Sequence, residues 1–408
     1  MGCKLRRGFL LLLGALGWNA PLAAQDQLPA GQGRDILRAD CTFCHDLSRI
    51  TQSGHTRADW TIVLQMMKNA GAPLRAEQIG PLTDYLAQNF PDRSPPAVTI
   101  PGQVRIAIQE WTVPTPGSRP HDPLAARDGM LWYTGQMANV LGRLDPKTGR
   151  FTEFPTGTSL AGPHGLAEDK DGKIWFTANF AGAIGKLDPN TKQLTAYPMP
   201  DARARDPHTP VFDRNGILWF TVQNANMVGR LNPQSGAIRL VSVPTAHARP
   251  YGIAIDPQGI PFFVEFGANK LGRIDPVSMS IEEYALPNPE SRPRRIAIGN
   301  DGVIWYTDYA RGYLGSFNPK TGRFAEWPSP GGPRAAPYGI TVLEGAVWYS
   351  ESGVKPNTLV RFDPKTERFQ SWEIPSGGGV VRNMMATSDG KLVLAESGIN
   401  RVALVEVK

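Results

Sequence analysis

One aromatic-centred segment recurs seven times between residue 104 and the end of the 408-residue chain. Trp132, Trp175, Trp219, Phe262, Trp305, Trp348 and Val393 head matching stretches, spaced by 43, 44, 43, 43, 43 and 45 residues. Most read Asp-Gly-x-Ile/Leu-Trp-Phe/Tyr-Thr. A second element follows, such as VLGRLDPKTG, whose Asp/Asn-Pro steps fall at 145, 188, 232, 275, 318 and 363. Each unit holds four short strand patterns divided by turn residues. A repeat of this length cannot bury its apolar face alone, so the pattern predicts stacked four-stranded blades, a seven-bladed β-propeller over 104–408. Six units end in an outer strand such as RFTEFP or RFAEWP, but the last stops at RVALVEVK. The missing pattern, IAIQEWTVP at 106–114, precedes the first unit. It is expected to pair with the C-terminal strands and close the ring, which removes the exposed edges.

The first hundred residues have a different texture. Lys4, Arg6 and Arg7 precede GFLLLLGALGW and then NAPLAAQ, the layout of a secretory signal over 1–24, which predicts an exported, periplasmic protein. Removing that signal takes three cations and no acids from 43 Lys+Arg and 37 Asp+Glu, leaving 40 against 37. With no block of like charge and no basic patch interleaved with aromatics, nucleic acid is not expected as a partner. No later stretch is apolar enough for a transmembrane anchor. A monomer or small oligomer is expected. Residues 25–90 read as helical: Thr56 is an N-cap with Asp59 as its capping partner, Gly71 a stop, and Pro81 a kink or restart in the next helix. The proline-rich 91–103 reads as a linker. The fold class is therefore a small all-α domain followed by an all-β seven-bladed β-propeller.

The helical segment contains CTFCH, placing Cys41, Cys44 and His45 within five positions. Cys-x-x-Cys with His directly after it is the attachment spacing for a covalent haem c. Two thioether bonds hold the vinyl groups, and the adjacent imidazole reaches the iron. A zinc ribbon needs a second ligand pair, and no cysteine remains to supply one. A redox dithiol belongs in a βαβ setting, whereas this one is helical. For the sixth iron ligand, Met67 shares a helix face with Trp60, Val63 and Leu64 and is the first choice, with Met66 second and His55 third. Both methionines serving as plain core is the alternative. Residues 31–90, through CTFCH and the tail LTDYLAQNF, resemble a short bacterial cytochrome c domain. Residues 104–408, through the repeated Trp and Gly-Arg/Lys-Leu/Ile-Asp-Pro motifs, resemble the virginiamycin (streptogramin) B lyase-like propellers.

Strand alternation brings two positions of every unit to one face of the ring. The first position, at the head of the innermost strand, holds His121, His164, His208, Tyr251, Arg294, Tyr338 and Asn383. The second, three past the Trp, holds Gly135, Ala178, Val222, Glu265, Asp308, Glu351 and Glu396. Histidines thus occupy early blades and carboxylates late ones, and His208 is expected beside Glu265 and His121 beside Glu396. Variation of residue type on a repeating backbone points to a mouth adapted for a ligand. Several occupants stay open. A divalent metal on some of the three histidines with a carboxylate is one. An anion or the haem propionates near Arg119, Arg249 and Arg292 is another, and a solvated polar rim is the third.

The lyase resemblance implies a histidine base at late strand heads, a Glu after the Trp motif, and Mg²⁺. The base removes a proton next to a carbonyl and the ester oxygen leaves. At the late heads this chain has Tyr338 and Asn383, with Glu351 and Glu396 at the acidic positions. Three functions follow as expectations. The favoured one is a haem protein passing electrons to a redox partner protein, with the propeller binding that partner or a small-molecule substrate at its His/Glu-lined mouth. The others are a metal-dependent carbon–oxygen lyase carrying a haem domain, and a scaffold docking another redox protein. If the haem assignment holds, protein matured with haem-attachment machinery keeps its stain on a denaturing gel. Loss of the stain on denaturation refutes it.

Overall fold

The computed structural model describes residues 28–42, 47–51 and 53–408. The expected signal segment, Cys44 and His45 lie outside the described residues. From residue 106 the chain forms seven four-stranded antiparallel sheets. In the first blade the strands are Pro120–Ala125, Leu131–Gly135, Val140–Asp145 and Arg150–Pro155, from the axis outward. Innermost strands touch their neighbours all round, and Pro120–Ala125 meets Val381–Ala386 to complete the circle. The seventh blade is closed as the sequence suggests. Ile106–Thr112 pairs antiparallel with Arg401–Val407, from Ile106 opposite Val407 to Thr112 opposite Arg401.

The repeated residues explain the blade. The motif Trp packs on the outer strand's aromatic, as in Trp132–Phe154 (5.4 Å), Trp175–Tyr197 (5.2 Å), Trp305–Trp327 (5.6 Å) and Trp348–Trp372 (5.7 Å). The glycine of the third strand is fixed by a different contact. A Cβ at Gly142, Gly185, Gly229, Gly272 or Gly315 would run into the ring of Tyr133, Phe176, Phe220, Phe263 or Tyr306, respectively. The motif Thr joins one blade to the next. Thr134 Oγ1 donates to His164 O (2.8 Å), Thr177 to His208 O (2.6 Å), Thr221 to Tyr251 O (2.6 Å) and Thr307 to Tyr338 O (3.0 Å). Each of these hydroxyls also accepts from a backbone N–H of its own innermost strand, at a bulge.

The position three past the Trp is part of this scaffold. Glu351 accepts from Ser329 Oγ (2.6 Å), Gly331 N (2.7 Å) and Thr358 Oγ1 (2.6 Å), which pins the entry to the sixth blade. Asp308 accepts from Arg292 N (2.9 Å) and from Arg311 Nη1 (3.2 Å). Glu265 and Glu396 are fully buried, and their oxygens find no hydrogen-bond donor. Burial, then neighbouring Glu283, pushes the Glu265 carboxyl up to about 8. Burial, then Glu110, pushes Glu396 well above the ordinary carboxylate range. Glu265 is therefore mostly the neutral acid at pH 7.

The N-terminal unit comprises α1 (Gln32–Ile36), a π-helical turn (Leu37–Cys41), α2 (Ser48–Thr51), α3 (Arg57–Asn69) and α4 (Ala76–Asn89). Thr56 caps α3 by accepting from Asp59 N (3.2 Å), and Gly71 leaves it at φ 99°. Helix α4 runs unbroken through Pro81, where a kink or restart was expected. The proline lies near the start of the helix, so only the bond to the Glu77 carbonyl is forgone. Leu37, Trp60, Leu64, Leu82 and Leu86 form this unit's own core.

The unit sits on the face where chain enters the innermost strands. Asn69 Nδ2 donates to Pro116 O (2.8 Å), Gln65 and Met66 abut Gly117, and α3 touches the turn at Ser397–Ile399. Lys355 Nζ meets Asp59 Oδ2 at 2.5 Å and Asp92 Oδ2 at 2.7 Å. The connecting segment is tied down as well, since Lys355 N donates to Pro95 O (2.9 Å) and Ser371 N to Ile100 O (3.0 Å). No described helix is long and apolar enough to cross a membrane.

Two measurements test this scaffold. A carboxyl raised in the folded state contributes stability that is complete below its unfolded value and lost as pH climbs through its folded value. Denaturant titration should therefore show Glu265→Gln near neutral in effect at pH 5 and stabilising on the order of a few kcal/mol at pH 9. Lys355 is 37% exposed, so screening limits its ion pairs to about 1 kcal/mol or less. Lys355→Met should speed proteolysis of 91–103 while leaving the propeller's melting transition in place.

Candidate functional site

The bulge behind each motif Thr turns two consecutive residues of the innermost strand toward the axis, forming two stacked layers. Strand register defines which residues these are. Pro120 lies opposite Gly135, Pro163 opposite Ala178, Pro207 opposite Val222, Pro250 opposite Glu265, Pro293 opposite Asp308 and Pro337 opposite Glu351. In the seventh blade the residue opposite Glu396 is Val381. The residue after each of these marks the upper layer. It comprises His121, His164, His208, Tyr251, Arg294, Tyr338 and Arg382, so the seventh place belongs to Arg382 and not Asn383. The misalignment has a simple origin, because Val381 replaces the proline that marks the other six strands.

The upper layer is a chain of ring contacts. His121 and His164 have centroids 3.6 Å apart, His164 and His208 3.8 Å, and His208 and Tyr251 3.9 Å. Tyr251 and Tyr338 share a hydroxyl–hydroxyl hydrogen bond of 2.5 Å. The Arg294 guanidinium lies over the rings of Tyr338 (3.8 Å), Tyr309 (4.2 Å), Phe266 (4.9 Å) and Tyr251 (5.2 Å). Arg382 lies 5.9 Å over Tyr338.

The next residue in each strand supplies the lower layer, which is Asp122, Gly165, Thr209, Gly252, Arg295, Gly339 and Asn383. The glycines let neighbouring innermost strands approach closely, since a Cβ at Gly165, Gly252 or Gly339 would meet Pro210, the Arg295 backbone or the Asn383 backbone. Arg295, 2% exposed, spans the axis to Asp122 (2.6 and 3.3 Å) and Thr209 Oγ1 (3.2 Å). Asp122 also accepts from Asn383 Nδ2 (3.0 Å) and contacts His121 Nδ1 (2.9 Å).

Burial holds all three histidines well below the ordinary imidazole range, helped by Arg382 at His121 and by the neighbouring histidine at His164 and His208, so they are neutral at pH 7. Burial, then Arg382, lowers Arg119 to about 9. Tyr251 is raised, chiefly by burial. Burial pushes Tyr338 upward too, but Arg294, Arg382 and Arg295 outweigh it and bring that phenol down to about 8.

Of the residues singled out from sequence, the structure brings His121, His164 and His208 together. It places Glu265, Asp308, Glu351 and Glu396 elsewhere, between the strands of their own blades. The expected pairings of His208 with Glu265 and His121 with Glu396 do not form, because residues at the end of the second strand turn away from the axis. Of the three rim arginines, only Arg119 reaches the upper layer. Arg249 lies over Phe266 (5.8 Å), and Arg292 Nη1 donates to the carbonyls of Pro289 (2.9 Å) and Ser291 (2.7 Å). Asp122, Arg295 and Arg382 were missed. The bulge puts two successive residues on one face, and simple alternation does not anticipate that.

His121, Asp122 and His164 bring donor atoms within 4.8 Å of one another. They do not suit Mg²⁺, which takes an octahedron of oxygens. Two of the three donors are imidazoles, and the one carboxylate is committed to Arg295 and Asn383. In the helical unit, Cys41 is a half-buried free thiol against the apolar core, raised to about 11 by burial and then by Asp40. Met66 is buried, and its backbone abuts Gly117 of the propeller. Met67 is half-buried beyond Val63 and Leu64. His55 packs edge-on to Trp60 (4.6 Å), and burial lowers its pKa.

Comparison with known proteins places this site in a context. No curated protein matches the chain. Among solved structures, a streptogramin B lyase is similar at 28% identity and TM-score 0.68, covering 74% of this chain and 98% of that one. Virginiamycin B lyase from Staphylococcus aureus is similar at 25% identity and TM-score 0.67, covering 74% and 99%. So is a catalytically inactive histidine-to-alanine variant of that enzyme with quinupristin, with the same values. The model of the virginiamycin B lyase family matches residues 102–343, more than half of the sequence and most of the propeller. This chain belongs to the virginiamycin B lyase family.

Proposed function

We propose that the protein is a carbon–oxygen lyase acting by elimination in the propeller mouth, with Tyr338 as the base. The observation that carries this reading is the family match over 102–343, together with coverage of 98–99% of the lyase structures. It ranks elimination ahead of electron transfer as the propeller's activity. The base takes a proton from the carbon next to a carbonyl, and the C–H electron pair becomes the new double bond. The bond from the neighbouring carbon to oxygen breaks, and that oxygen leaves with its pair and is protonated. No water is consumed and nothing is oxidised.

Tyr338 suits the first step because three guanidinium groups favour its phenolate. The buried histidines, held neutral and weakly basic, line the wall and support the ring stack. Removing the hydroxyl with Tyr338→Phe should lower elimination at least about a hundredfold, within the range general-base catalysis contributes. Because the base must be ionised, the native rate should rise with pH up to a plateau above about 8. Chromatography of ester and ether substrates for an unsaturated product gives the readout. Full activity in Tyr338→Phe with the same pH profile removes the tyrosine from this role.

A second reading concerns the helical unit, and one observation favours it. Cys41 lies at the edge of an apolar core, with Met67 half-buried on the same helix face as Leu64, while Met66 is used against the propeller. Cys41 and Met67 are compatible with a haem c that the CTFCH spacing would attach through Cys41, Cys44 and His45, with Met67 as the sixth iron ligand. When bound, such a group supplies one-electron transfer at a raised potential. Export to the periplasm goes with this reading, since covalent haem attachment follows a secretory signal.

A further inference from the structure

Three guanidinium groups at the mouth face phenol rings and have no carboxylate partner. Among the described residues, no carboxylate forms an ion pair with Arg119, Arg294 or Arg382, whereas Arg295 pairs with Asp122. The Nε atoms of Arg294 and Arg382 are buried with no acceptor. All three side chains are half-buried, and Arg294 and Arg382 lie over Tyr338, which is fully buried. Mutual repulsion is already visible in Arg119, which Arg382 helps to depress. Tyr338 is still mostly protonated at pH 7, so these like charges over an aromatic floor favour the entry of an anion among them. Planar guanidinium forks match a carboxylate in particular, because each can offer it two parallel N–H groups.

We infer that the mouth is a carboxylate receptor, and that the lyase substrate is a carboxylic acid bearing an ester or ether oxygen on its β-carbon. The inference rests on the elimination reading and adds the substrate class to it. A carboxylate resists losing its α-proton, since a second negative charge must build on the same group. Arg119, Arg294 and Arg382 stabilise that charge as it develops. Tyr338 takes the α-proton, the C–H pair forms the α,β double bond, and the β carbon–oxygen bond breaks with its pair on the departing oxygen. That oxygen is then protonated, so the products are an unsaturated carboxylate and an alcohol, or a second acid where the leaving group is an acyl. The electrons balance with no oxidant or added water.

Calorimetric titration of the full-length protein with 3-acetoxypropanoate, and with its neutral methyl ester as control, tests this. The anion should bind and release acrylate and acetate, and raised salt should weaken it, whereas the ester should not bind. Arg382→Met should weaken binding roughly tenfold or more, as expected for a lost charge-assisted contact. Arg382→Lys should restore only part, because it keeps charge without the fork. Arg294→Met is the companion variant, but Arg294 stacks within four rings. Circular dichroism therefore accompanies it, and the half-exposed Arg382 carries the test. Binding of the anion without acrylate formation supports the receptor and removes the lyase reading. Elimination of the methyl ester that ignores Arg382→Met keeps the lyase reading and overturns the receptor. If the anion binds only after Cys41→Ala and Cys44→Ala, a haem propionate is the occupant and the substrate inference falls. Failure of folded native protein to bind the anion at low salt also overturns it.

Discussion

The threonine hydroxyl of the blade motif is the contact on which the mouth depends. Thr134, Thr177, Thr221 and Thr307 each accept from the bulged strand of their own blade and donate to the mouth residue of the next. A buried hydroxyl satisfied on both sides is strongly positioned, because moving either strand would leave a polar group unpaired. Ser350 makes the same bridge to Val381 O (2.9 Å) at the entry to the seventh blade. The side chains facing the axis therefore ride on a rigid, repeated backbone, and their chemistry can change from blade to blade without disturbing the ring.

Charge is sorted radially in this molecule. The axis holds Arg119, Arg294, Arg295 and Arg382 against the lone carboxylate of Asp122. One strand further out lie Glu265, Asp308, Glu351 and Glu396, two with their carboxyl pKa raised by burial and two held by hydrogen bonds. The acids are too well screened or protonated to cancel the field at the axis. The low phenol of Tyr338 is the direct product of that separation.

Blade number and the closing strand could be read from sequence, because both are periodic signals. The composition of the mouth could be read only in part. His121, His164, His208, Tyr251, Arg294 and Tyr338 follow a proline marker, and alignment finds them. Arg382 follows Val381 and escaped. Asp122 and Arg295 escaped for another reason, since a bulge breaks the two-residue alternation on which strand reading rests. The carboxylates misled because their recurrence is real but serves the turn at Ser329–Gly331 and the packing beside Glu283. Thr358, close to Glu351 in sequence, is the partner that marks that carboxylate as scaffold.

The pairing of Ile106–Thr112 with Arg401–Val407 has a consequence for how the chain is made. The strand that completes the last blade is synthesised first among the propeller strands and waits for nearly the whole domain before its partner exists. Until then the ring is an open arc with two unsatisfied edges, and the final step joins segments separated by most of the sequence, which is slow. The helical unit has its own core and is complete before any blade is. The N-terminal module can therefore be folded during the interval in which the propeller behind it has yet to close.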